Sequence, residues 1–378
     1  MALPQWLAGF FDELPEPRVE RTRRYPLTSI VSAVLVGIIV GCRGWGEIHD
    51  FLRWGPPELR ALFGFRRSVP CADTLRRVML ALDPKAFQGE FIRWTQALCQ
   101  STAGKLVAVD GKTVRGARRD GDDGPLHLVN AWVADNAVVL GQYATDVKSN
   151  EITAIPELLK LLDLRGCIVS IDAMGCQKKI AAAIIEQGAD YLFGLKGNQP
   201  SLHEEVLGAF DAETCEELES SQETFHESVD KAHGRLEVRR AWVLREVDWL
   251  EQSDEWPRLK ALVLIESTRT SRGTTSCEKR AYISSLDAPA ERMSGLVRGH
   301  WSVENQLHWT LDVTFGEDRA RISRANGAEN LALVRKMALT LLKGAPVDKK
   351  DTSIVARQRH CHQSVDYLLA VLASGAPH

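Results

Sequence analysis

The sequence contains no cysteine pair at CxxC spacing and no apolar run approaching the roughly 18 residues needed to cross a bilayer. Its eight cysteines (42, 71, 99, 167, 176, 215, 277 and 361) are scattered, which argues against a zinc ribbon. The opening segment, Met1-Ala-Leu-Pro-Gln-Trp6, lacks a positive region followed by an apolar one, so no secretory signal is read there. Without such a signal a disulfide framework is not expected either. A cytoplasmic protein with reduced thiols and no membrane partner is the expectation. An excess of base is also missing: 47 Lys and Arg against 50 Asp and Glu leave a net charge of −3. That balance counts against a simple polycationic nucleic-acid binder.

What is present is an ordinary globular composition, 44% hydrophobic and 26% charged, in a chain of 378 residues long enough for two or three domains. Positive charge is local. It gathers at 18–24 (Arg18, Arg21, Arg23, Arg24), at 105–119 (Lys105, Lys112, Arg115, Arg118, Arg119) and at 343–362 (Lys343, Lys349, Lys350, Arg357, Arg359). Acid concentrates at 211–227. Residues 1–100 read as helical: an apolar run over 30–42 suits a buried helix, and helical spacing recurs at 71–82 and 87–98.

The texture changes near Lys105. Leu106-Val107-Ala108-Val109 is a short buried strand ending on Asp110-Gly111, and 167–171 is another ending on Asp172. Between them, 127–134 and 137–145 form a hairpin joined by Asp135-Asn136, and 151–164 is a helix capped by Asn150. The expected order continues as helix 177–187, strand 191–195 and helix 201–210. A stretch at about 212–290 is acidic and then strand-like (235–246, 259–267, 280–285), as an insertion would be. Helices follow at 294–311 and 328–342, and the tail from 344 is polar, basic and loose, with a short helix possible at 365–372. An α/β fold results in which two strands deliver aspartates to one sheet edge.

Carboxylates placed this way suit phosphodiester chemistry. The transition state gathers negative charge on oxygen, and two magnesium ions about 4 Å apart stabilise it when a few acidic ligands hold them. Asp110, Asp172 and Glu304 meet that need. Each also has a plainer reading, since Asp before Gly is often only a turn residue. A rival metal site is open too, because His300, Glu304 and His308 are spaced i, i+4, i+8 on one helical face. Trp301 and Trp309 read as core packing in preference to base-stacking platforms.

Longer motifs carry a family likeness. They include Ala108-Val-Asp-Gly-Lys-Thr-Val-Arg-Gly116, Asp146-Val-Lys-Ser-Asn-Glu-Ile-Thr-Ala-Ile-Pro156, Ile171-Asp-Ala-Met-Gly-Cys-Gln-Lys178 and Leu195-Lys-Gly-Asn-Gln199. Val229-Asp-Lys-Ala-His-Gly-Arg235 and His300-Trp-Ser-Val-Glu-Asn-Gln-Leu-His-Trp-Thr-Leu-Asp-Val313 extend them. In these segments, over about residues 10–345, the chain resembles the DDE transposases of the H-repeat-associated insertion-sequence family.

The resemblance implies a ribonuclease-H-like mixed sheet flanked by helices in a catalytic domain at 101–345, with a β-rich insertion at about 212–290. It also implies a transposase-associated N-terminal helical domain at 1–100, with DNA binding as one of its roles, and leaves a basic tail at 346–378. Asp110, Asp172 and Glu304 become the catalytic and metal-binding residues, with two Mg²⁺ ions for which Mn²⁺ substitutes. Lys112, Arg115, Lys148, Lys196, Asn198, Gln199, His233, Arg235 and Arg298 become candidates for contacting double-stranded DNA. The implied partners are terminal repeats and target DNA, held by a homodimer in a nucleoid-associated complex. A metal nuclease that cuts without joining, and a non-mobile DNA-binding remnant, are the alternatives. Two departures stand out: Gly316 replaces the arginine usual before Glu317-Asp318, and the Tyr-Arg-Glu-Lys signature of related enzymes is absent around Glu304.

Overall fold

The computed structural model describes residues 3–99, 103–118, 125–145, 151–232, 234–320, 326–346 and 353–377. Helices come first: α1 (Gln5–Asp12), α2 (Leu27–Ile39), α3 (Trp45–Trp54), α4 (Pro57–Leu62), α5 (Ala72–Ala81) and α6 (Pro84–Cys99). α2 is apolar around nearly its whole circumference, so only an enclosed position suits it. Residues 30–39 are indeed all buried.

Strands then alternate with helices: β1 (Leu106–Arg118), β2 (Pro125–Val133), β3 (Val138–Ala144), α7 (Glu151–Leu159), β4 (Ile168–Ile171), α8 (Lys178–Glu186) and β5 (Asp190–Leu195). Next come α9 (Pro200–Ala209), α10 (Ala212–Leu218), β6 (Phe225–Ala232), β7 (Arg235–Leu244), β8 (Ala261–Ser271) and β9 (Thr274–Ser284). α11 (Ala290–His300) leads into a π-helical turn (Val303–His308) and α12 (Trp309–Val313). The described chain closes with α13 (Gly327–Gly344), α14 (Ile354–Gln363) and α15 (Val365–Ala373).

All nine strands join one sheet in the order β3-β2-β1-β4-β5-β9-β8-β7-β6. Its first half, an antiparallel β1-β2-β3 meander beside parallel β1, β4 and β5, is the ribonuclease-H-like arrangement that the resemblance implies. The stretch read as an insertion does not stand apart. β9 pairs antiparallel with β5 (Leu192↔Ser284, Leu195↔Ala281), so β6 to β9 prolong the central sheet.

The alternation of side chains across a strand divides the packing. Ile168 and Leu192 face Met293, Leu296 and Val297 of α11 on one side. Val169, Tyr191 and Phe193 face the larger core on the other, with Leu158 of α7 and Ile180 of α8. That larger core is continuous from Leu7 of α1 to Leu372 of α15, so the packing does not divide near residue 100. α13 lies at its centre, against α2, α5 and α6. Among the described residues no helix is long and apolar enough to cross a membrane.

Two expectations are corrected. β1 does not end at Asp110, because its pairing with β2 continues through Val114↔Leu126 while only its pairing with β4 stops at Val109. The tail is not loose over 353–377. Leu368, Val371 and Leu372 occupy one face of α15 and are fully buried, and Trp6 and Trp94 donate to the carbonyls of Leu372 and Gly375 at 2.9 Å.

Candidate active site

Val109 pairs with Ile171 across parallel β1 and β4, so the next residues, Asp110 and Asp172, stand side by side where that pairing ends. The Asp110 carboxylate accepts the backbone N–H of Gly111 at 2.9 Å. Asp172 caps a short 3₁₀ turn (Ala173–Gly175), its Oδ1 accepting from Met174 at 3.1 Å and Gly175 at 3.4 Å. That turn is braced from outside. Asn198 donates to the Ala173 carbonyl, and Gln199 donates to the Cys176 carbonyl at 3.0 Å.

Glu304 lies on the π-helical turn and is exposed. The turn separates the histidines that α-helical spacing would have stacked with it. His300 is buried, its Nδ1 2.9 Å from Ser170 Oγ, and burial pushes its pKa down to about 4. His308 meets β1 instead, with Nδ1 3.5 Å from Asp110 Oδ2. Burial and the charges of Lys112, Lys336 and His127 push it down to about 3. The rival His300–Glu304–His308 metal site is therefore not formed. Among the described residues no three His, Cys, Asp or Glu side chains converge as a metal-holding group.

The carboxylates nevertheless share one electrostatic field. Burial raises the Asp110 pKa to about 7, reinforced by the charges of Asp172, Glu151 and Glu304 against the Gly111 N–H. Burial and Glu151 also raise Asp172, opposed by its two N–H donors and by Lys196. Glu151 is a site residue that the sequence pattern does not single out. It is the first residue of α7 and reaches the sheet edge where Gly111 has no side chain: a Cβ there would collide with Glu151 Oε1. His127 on β2 stands 2.7 Å from that same oxygen, and its Nδ1 lies 2.9 Å from Thr113 Oγ1. The motif containing Glu151 is visible in the sequence, but its proximity to Asp110 depends on the β1–β2–α7 packing.

The residues proposed for DNA contact scatter in character. Arg115 is 82% exposed, with Nε 3.8 Å from Asp318. Lys196 and Arg235 are exposed. Arg298 pairs with Asp230 at 2.8 Å on the wall of a groove of about 370 Å³ that also takes in Glu304 and Trp301. Asn198 and Gln199 spend amide donors on the turn after Asp172. Lys148 and His233 lie outside the described residues. Lys112 is a correction: its side chain is 6% exposed and its Nζ sits 2.5 Å from Asp312, so no phosphate reaches it. Trp309 also departs from expectation. It is 58% exposed and not part of the core, whereas Trp301 packs partly buried beneath the Arg280 guanidinium.

Comparison with known proteins matches these features to a family. The family described as "Transposase DDE domain" matches residues 101–341, and one described as "DDE_Tnp_1-associated" matches residues 8–95. YncI of Escherichia coli O157:H7, provisionally named a transposase, is 38% identical over 381 residues, covering 98% of this chain and 95% of YncI. YhhI of Escherichia coli K12, provisionally named an H repeat-associated transposase, is 36% identical over 366 residues, covering 95% and 96%. Among solved structures, a piggyBac transposase in a synaptic complex with hairpin DNA aligns at a TM-score of 0.44 and 12% identity, covering 99% of this chain and 79% of its own, a likeness too low to bear on fold or function. The chain belongs to the DDE-domain transposases of the H repeat-associated insertion-sequence group, enzymes that act on DNA with a divalent metal.

Proposed function

We propose that Asp110, Asp172 and Glu304 are the catalytic carboxylates of a transposase that cleaves the ends of an insertion sequence and joins the freed 3′-hydroxyl to target DNA. The observation that carries this reading is the Val109↔Ile171 register, which makes Asp110 and Asp172 neighbours at one sheet edge, within the field of Glu304.

The donor set suits a hard cation. It is made of carboxylate oxygens, the ligands magnesium prefers. Burial raises the Asp110 pKa first, and the like charges of Asp172, Glu151 and Glu304 add to it, a field that a bound cation would relieve. Gly111, lacking a Cβ, admits the Glu151 carboxylate to the same edge. Asp110, Asp172 and Glu304 would hold two Mg²⁺ ions, with Mn²⁺ as a substitute. Bound there, the metals would activate the attacking oxygen and neutralise charge on the phosphate and the leaving oxygen.

The protein's own groups then do the positioning. Backbone N–H groups at 174 and 175 fix Asp172 through Oδ1, and the amides of Asn198 and Gln199 fix the turn that carries those groups. Exposed cations, Arg115, Lys196, Arg235 and Arg298, grip the phosphates of terminal repeats and target DNA. Two ends brought together imply a homodimer, working in the cytoplasm on the nucleoid.

The test uses plasmid carrying the DNA that flanks the gene, with Mg²⁺ or Mn²⁺. Wild-type protein is expected to nick at the ends and form strand-transfer products, while Asp110→Asn, Asp172→Asn and Glu304→Gln each fold and lose cleavage. Near-wild-type cutting by any one variant would remove that residue from the triad. Nicking without joined products at any metal concentration would favour a nuclease.

A further inference from the structure

A lysine that grips DNA needs its ammonium in solvent, and that of Lys112 is enclosed. Its Nζ stands 2.5 Å from Asp312 Oδ1 and 3.6 Å from both Glu317 Oε2 and Asp318 Oδ1. Lys112 is two residues beyond Asp110 on β1, so the two side chains share a face of the strand. Asp312 lies on α12, which continues directly from the π-helical turn bearing Glu304. The ion pair therefore joins the strand that carries Asp110 to the helical segment that carries Glu304.

Neighbouring contacts repeat the tie. The Arg115 backbone N–H donates to Asp318 Oδ1 at 3.1 Å. A Cβ at Gly116 would come within 2.5 Å of the Asp318 carbonyl oxygen, so β1 and the 3₁₀ turn Glu317–Arg319 meet backbone to backbone. Glu317 is fully buried, and Arg335 of α13 stands 3.7 Å from its Oε1. Gly316, which opens that turn, has φ +65°, a left-handed conformation that glycine adopts without strain.

We propose that Lys112 and Asp312 are positioning residues, whose ion pair, enclosed on the lysine side, ties the strand carrying Asp110 to the helical segment carrying Glu304 and so limits how far the two carboxylates separate. The inference rests on the proposed Asp110–Asp172–Glu304 triad. An ammonium enclosed by three carboxylates is compensated only in a tight geometry, and removing one partner leaves a charge uncompensated. The pair is therefore stiff. Without it the π-helical turn relaxes away from β1.

Asp312→Asn is the principal test, because its partly exposed side chain can be changed with the fold intact; Lys112→Met and Lys112→Arg accompany it. The readouts are the Mn²⁺ midpoint by thermal shift, amide hydrogen exchange over 303–313, affinity for a labelled duplex of the flanking DNA, and single-turnover cleavage. In Asp312→Asn, Mn²⁺ affinity and cleavage should each fall about 10- to 100-fold, as loss of an outer-shell partner does. Exchange over 303–313 should quicken while DNA affinity stays close to wild type, and Lys112→Arg should recover part of the cleavage lost in Lys112→Met. Unchanged Mn²⁺ midpoint and cleavage in Asp312→Asn would overturn the proposal. So would a Lys112→Met protein whose only defect is weaker, less salt-dependent DNA binding. If Lys112→Met does not fold, Asp312→Asn decides alone. Wild-type protein without cleavage or Mn²⁺ binding would sink the triad reading, and the exchange of 303–313 would then decide the clamp by itself.

Discussion

At Asp110 a proton is held by burial and by three other carboxylates, and this has a measurable consequence for stability. The folded-state pKa of about 7 lies above the unfolded value of 3.8, so the stabilising contribution is complete below about pH 4 and is lost as pH rises through 7. Metal-free wild-type protein should therefore lose stability between about pH 4 and 7 relative to Asp110→Asn, by an amount on the order of 4 kcal/mol over that range. Thermal melts in chelator measure the difference, and parallel pH profiles for the two proteins would contradict it. At Gly111 the constraint is steric. Gly111→Ala would push a methyl into the Glu151 carboxylate and should cost about 1–3 kcal/mol in chemical denaturation. Gly89→Ala, in α6 with nothing within 4 Å, should instead stabilise by about 0.5–1 kcal/mol. Asp110 and Asp172 are visible from the sequence because a short apolar run ending in Asp is a local pattern. Glu151 is not, because its role depends on a contact across the sheet.

Among the elements, the π-helical turn explains why the histidine reading fails. Spacing of i, i+4, i+8 stacks side chains only while the helix keeps 3.6 residues per turn. A π segment bonds i to i+5 and rotates the residues beyond it. His300 therefore points at Ser170 and His308 at Asp110. The C-terminal helices show the opposite limitation. Polar and basic composition suggests a loose tail, yet Leu368, Val371 and Leu372 are enough to dock α15. Leu372→Ala should cost about 2–5 kcal/mol, as for other buried leucines. A loss below about 1 kcal/mol in denaturant titration would mean that α15 is not part of the core.

For the molecule as a whole, the net charge of −3 and the burial of Lys112, Arg335 and Lys336 leave DNA binding to fewer cations than the sequence tally suggests. Affinity should still fall steeply with salt, and Arg115→Ala should reduce the log–log slope by about one, as for a single phosphate contact. Lys112→Met should leave that slope unchanged. A slope that ignores Arg115 would place the DNA elsewhere on the surface.

The sequence by itself determined the alternation of strands and helices, the two strand-borne aspartates and the family, because each is written in short-range pattern or motif. Only the tertiary structure decided that β6 to β9 extend the central sheet, that the N-terminal helices share a core with α13, and that Glu151 joins the acidic edge. It also decided that Lys112 is a buried partner of Asp312 and no DNA contact. These outcomes depend on which surfaces meet, and a lysine reads the same in a sequence whether its ammonium ends in water or between carboxylates 200 residues away.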